Sequence, residues 1–173
     1  MDGAASPIGR KPAKLARFAR LGPRRLALLV EAVTALAVAR LIVATRPPAR
    51  VARRFGRPLA DGVDAPGEAH PARDAGRAAD IGWAIRCAAA NVPFLALCVE
   101  QALAPRVLLD RRAIAATVHY GIASPAGDSK SLRAHVWMNA SGEEITGYPL
   151  RPAFRDIARF TSRRPEDSTY DAG

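Results

Sequence analysis

Two residue types in this chain could do covalent chemistry together: cysteine, at positions 87 and 98, and histidine, at positions 70, 119 and 135. A thiolate attacks an acyl carbon, and an imidazole within reach takes and returns the proton; a thiol hydrolase needs that pair. Cys98 opens an apolar stretch that runs to Arg112. His119 lies in Ala116-Thr117-Val118-His119-Tyr120-Gly121 and His135 in Ala134-His135-Val136-Trp137. A free cysteine is often only a small buried hydrophobe, so its position decides whether it is more. The residues alone divide the role of base evenly between His119 and His135.

The elements around these residues can be read from their periodicity. Leu97, Ala104 and Leu108, with Val99, Leu103 and Val107, recur three, four and seven apart, the period of a buried helix. Glu100 stands in its first turn and Arg111 and Arg112 in its last, as the macrodipole prefers. The helix therefore starts near Cys98, and its positive end is the environment that favours a nucleophilic thiolate. Beyond it, Ala116 to Gly121 reads as a strand, residues 123 to 131 as a polar loop, and Leu132 to Asn139 as a second strand. A turn at Ala140-Ser141-Gly142 leads into a third, Glu143 to Tyr148. Trp137, two residues from His135, shares its strand face. The fold expected is α+β, a cysteine helix packed on a small antiparallel sheet.

Cysteine helix, then antiparallel strands with histidine on the second, is the chain order of the papain and transglutaminase group. The chain resembles the transglutaminase-like leader peptidase of lasso-peptide biosynthesis. The matching residues are Cys98, Ala102-Leu103-Ala104, Leu108-Leu109, Arg111-Arg112-Ala113-Ile114 and Arg133-Ala134-His135-Val136-Trp137. Ile145-Thr146-Gly147-Tyr148 and Phe154-Arg155-Asp156-Ile157-Ala158-Arg159-Phe160 follow, with an upstream apolar helix carrying Glu31 and Ala32. The resemblance covers roughly residues 20 to 160 and implies that Cys98 is the nucleophile and His135, in place of His119, the base. It implies removal of a leader peptide, after which a partner ATP-dependent cyclase closes a macrolactam on the freed core. It implies no metal and no organic cofactor.

The chain departs from the family at three places. Ala113 stands where members usually have glycine, and Pro105 where leucine is common and where proline can kink the helix. Gly147 stands twelve residues after the histidine, where many members carry the acid that orients it. The third member of the site is open: Glu143, Glu144, Thr146 or a backbone carbonyl could orient His135, because a triad is defined by roles.

The remaining candidates have plainer readings. His70 lies in a Pro/Gly-rich stretch and reads as solvated, Cys87 in a helical stretch from Ala78 to Ala90 reads as packing, and Trp83 and Trp137 read as core aromatics. Two cysteines form no disulfide framework and fit no zinc spacing, which suits a reducing cytoplasm. With 173 residues, 49% of them hydrophobic, the chain can bury one sizeable core.

The charge is uneven. Residues 1 to 57 hold 13 Lys or Arg against Asp2 and Glu31, a net of +11, while residues 58 to 173 hold 13 against 14 acids. A basic N-terminal arm of this kind suits nucleic acid, an anionic membrane surface or an acidic protein. Phe18 and Phe55 are too few aromatics for a nucleic-acid stacking platform. Leu26 to Thr45 is long enough to span a membrane, but Glu31 and Arg40 within it favour a packed helix, with a surface-lying helix flanked by arginines in between. No signal peptide is legible.

These readings divide the chain into a basic helical arm (1–57), a linker (58–76), a transglutaminase-like peptidase core (77–162) and a flexible tail (163–173). Without a strand-bearing module before the linker, the chain resembles the stand-alone peptidase. That type takes a lasso precursor peptide from a separate leader-recognition protein and works beside the cyclase. Two rival readings are a transglutaminase-like acyl transferase and a non-catalytic scaffold that binds precursor and cyclase.

Overall fold

In a computed structural model of the protein, the residues described are 21–60, 72–123, 132–150 and 154–161. Helix α1, Pro23–Thr45, begins with proline in its first turn, where the missing N–H costs nothing. Leu29, Ala32, Leu36 and Ala39 recur along one stripe and are buried against α3 (Ala72–Ala89) and α4 (Cys98–Asp110). The two charges in the middle of α1 tie it to the body of the protein: Glu31 meets Arg112 at 2.9 Å and Arg40 meets Glu100 at 3.0 Å. Helix α1 is therefore a packed helix of the core, as its internal charges suggest.

Parts of the expected arm and linker pack into the body of the protein. After the short helix α2, Pro48–Ala52, a 3-10 turn at Arg53–Phe55 drops Phe55 into the core, 5.7 Å from the ring of Phe160. Strand β1, Arg57–Leu59, then pairs with β5, Arg155–Thr161. The supposed linker thus supplies a strand at one end and the first turn of α3 at the other. Its middle, residues 61–71 with His70, lies outside the described residues, as do most of the expected polar loop and the expected tail.

Helix α4 starts at Cys98, as its period predicts, and runs through Pro105 without interruption. At its exit Ala113 adopts φ 52°, and Ile114 N–H donates to Leu109 C=O at 3.1 Å. A left-handed residue closing a helix is the position where glycine carries no Cβ penalty, and alanine stands there in this chain.

Strands β2 (Ala116–Ala123), β3 (Arg133–Ala140) and β4 (Glu143–Thr146) form the expected antiparallel run, with β4 ending two residues early. The complete sheet has the order β1-β5-β2-β3-β4. His119 lies opposite Trp137 and Gly121 opposite His135. Alternation then gives the sheet two faces. Val118, Val136 and Met138 join α1, α3 and α4 in one apolar core, with Tyr120 packed against it. His119, Gly121, His135 and Trp137 point the other way; Trp137 is buried as well but lies outside that apolar cluster.

Candidate active site

Cys98 is the first residue of α4 and a free, half-buried thiol packed against the core. Leu97 before it is extended and gives the helix no side-chain cap, so the amides of the first turn are open to an incoming acceptor. Gln101 holds the approach to the helix, its Nε2 donating to Ala96 C=O at 2.7 Å. Glu100, in the same turn, is 1% exposed, and its charge is met by Arg40 of α1. That pair gives the buried carboxylate a charged hydrogen-bond partner. A mostly apolar cavity of about 580 Å³ is lined by Val99 of α4 with Tyr120, Phe160, Phe55, Val51 and Val43; Cys98 is not among its lining residues.

His135 lies near the start of β3, and its Nε2 is 2.8 Å from the carbonyl oxygen of Gly147. A carbonyl only accepts, so Nε2 carries the hydrogen, and Nδ1 of the neutral ring carries none. The acceptor comes from the position where the family often places its acid, and it is a backbone atom. Gly147 has φ 86°, and a Cβ there would fall 2.5 Å from Trp137 Cβ. Glycine at this position follows from both facts. Among the described residues no hydrogen bond joins Glu143, Glu144 or Thr146 to His135, and the buried Thr146 hydroxyl has no hydrogen-bond partner there.

His119 has the carboxylate that His135 lacks. Its Nδ1 is 2.8 Å from Asp156 Oδ2, and its ring, 4% exposed, stacks on Trp137 at 5.2 Å with 4° between the planes. Trp137 also faces His135 at 6.2 Å, and Phe154 lies 5.0 Å from His135. The outer face of the sheet thus carries a stacked row of His119, Trp137 and His135, with Phe154 tilted against the last two. Sequence reading identified the shared face of Trp137 and His135 but missed Asp156. Its signal was faint, one acid in the closing strand, and only the bulge between Tyr120 and Gly121 turns it toward His119.

No hydrogen bond joins Cys98 to His135 among the described residues. Strand alternation turns His135 away from the face on which α4 packs, its ring bond goes to Gly147, and no hydrogen bond of Cys98 is found among the described residues. Trp83 and Cys87 are half-buried and pack against the core, with Arg25 over the Trp83 ring at 5.2 Å.

A helix opened by cysteine and followed by an antiparallel sheet bearing histidine is an arrangement of the transglutaminase-like superfamily. The model of that superfamily matches residues 32–159 of this chain, most of its length, and the chain belongs to the family. The match includes α1 from Ala32 onward, consistent with its packing into the core. Neither a curated protein nor a solved structure matches the chain. Family and geometry together support a cysteine-peptidase-like function.

Proposed function

We propose that the chain is a cysteine peptidase that removes the leader from a ribosomally made lasso-peptide precursor. The observation that carries this reading is Cys98 at the uncapped start of a buried helix, inside a transglutaminase-like domain. Cys98 Sγ attacks the carbonyl joining leader to core, forming a carbon–sulfur bond. His135 Nδ1 delivers the thiol's proton to the departing amine as the carbon–nitrogen bond breaks. Water, deprotonated by the same nitrogen, then cleaves the thioester and returns the thiol. The backbone N–H of Cys98 is a donor for the oxyanion, and the apolar cavity beside Val99 is a place for a substrate side chain.

Cys98 and His135 share no hydrogen bond among the described residues, and catalytic contacts commonly tighten only in the substrate complex. The separate recognition protein, acting in the cytoplasm with the cyclase, delivers the precursor that forms this complex. The missing hydrogen bond also favours a second reading, a non-catalytic scaffold for precursor and cyclase.

One experiment tests both. Purified chain, precursor and recognition protein are incubated together, and the products are weighed by mass spectrometry. Cleavage that disappears in Cys98→Ala supports the peptidase; intact precursor held in a complex supports the scaffold. A mass gain when an amine donor is added would instead mark acyl transfer.

A further inference from the structure

Helix α1 buries one stripe and leaves the opposite one bare. Leu26, Val30, Val33, Val38 and Leu41 are between 43% and 63% exposed, and Ala37 and Ala44 lie exposed among them. At 23 residues the helix is about 34 Å long, so this is an extended apolar stripe and not a scatter of single residues. Its composition and length would suit a membrane span. Spanning is incompatible with the packed inner stripe and the ion pairs to Glu100 of α4 and to Arg112 just beyond it.

Two features of the stripe indicate what it meets. The first is its lack of free polar groups. The hydroxyls of Thr34 and Thr45, the only polar side chains on it, turn back to the Val30 and Leu41 carbonyls at 2.9 and 2.7 Å. It offers hydrocarbon and no directional partner. The second is charge. Exposed Arg24 stands at one end of α1, next to Arg25, which is held by Asp80 and the Trp83 ring, and Arg46, Arg50, Arg53 and Arg54 line a single recess at the other. The carboxylates nearest these positions are already engaged, Asp80 by Arg25, Glu31 by Arg112 and Asp110 by Arg106.

We infer that α1 docks the protein, with its helix axis in the plane of the surface, onto a lipid bilayer bearing anionic headgroups. The apolar stripe enters the acyl boundary, and the arginines at both ends meet the headgroups. A second copy of the chain is a poorer occupant. Antiparallel pairing of two α1 stripes would set Arg24 and Arg25 against Arg46 and Arg50 of the other copy, like charge on like charge.

The test uses the full chain with vesicles of phosphatidylcholine alone and with about 30 mol% phosphatidylglycerol, read by co-flotation. The variants are V30D/L41D, which places charge on two of the most exposed stripe positions, and R50E/R54E. Circular dichroism confirms that each folds. The expected result is salt-sensitive binding to the anionic vesicles only, weakened about tenfold or more by either pair of substitutions. A V30W variant should show a blue shift of its added tryptophan emission on binding. Three outcomes overturn the inference: no flotation with anionic vesicles, flotation unchanged in V30D/L41D, which would make it adsorption by charge alone, or a vesicle-independent dimer dissolved by V30D/L41D.

Discussion

The two faces of the sheet are built from the same strands and do opposite things. The inner face presents Val118, Val136 and Met138 to three helices and closes over an apolar core whose members are almost all inaccessible to water. The outer face carries His119, Trp137 and His135 in a stacked row, Phe154 tilted against the last two, with Asp156 and the Gly147 carbonyl at its polar positions. Cys98 belongs to the inner face through α4. Successive side chains of a strand point to opposite sides, so Val136 faces the helices while His135 beside it faces away from them. The inner face therefore supplies stability and the thiol, and the outer face holds the titratable groups in fixed orientation.

The sharpest way to break this division is kinetic. Cys98→Ala should abolish leader removal, and Cys87→Ala should keep most of it. His135→Ala should be inactive while His119→Ala loses activity only in step with its stability. If the two faces cooperate in one reaction, Cys98→Ala/His135→Ala will be no worse than either single variant, since members of a catalytic unit are non-additive. Multiplying losses would show that they act separately, and normal cleavage by the Cys98 variant would end the thiol mechanism.

Thermodynamic probes follow. Met138→Ala empties a fully buried site on the inner face and should cost about 2–5 kcal/mol in urea unfolding. A loss under about 1 kcal/mol would mean that the inner face is not close-packed.

On the outer face, Gly147→Ala sets a Cβ against Trp137 at a left-handed residue, whereas Gly142→Ala, at φ 78°, meets open space. The second should cost about 1 kcal/mol and the first clearly more. The histidine NMR signals of His135 should shift in the first variant alone. Equal costs would show that the Trp137 row is loosely held.

The smallest effect concerns the helix exit. Ala113→Gly relieves a left-handed alanine and should raise stability by about 0.5–1 kcal/mol, read as a higher midpoint in the same urea experiment. A lower midpoint would mean that chain entropy outweighs the relief.

Much of this was determined by the sequence alone. The start of α4 at Cys98, the strands around His119 and His135 and the packed character of α1 all follow from local periodicity and from charges interrupting an apolar run. These are properties of neighbours within one turn or one strand pair, where side-chain spacing dictates burial. The shared face of Trp137 and His135 is of the same kind.

Only the tertiary structure decided the rest. Strand β1 is three residues long and has no pattern of its own; it exists because β5 offers an edge to pair with. The Arg40–Glu100 pair joins residues 60 positions apart. Asp156 reaches His119 through a bulge that reverses strand parity, and Gly147 provides its carbonyl to His135 because the chain turns where Trp137 leaves no room for a side chain. Each depends on long-range register, which local periodicity does not encode.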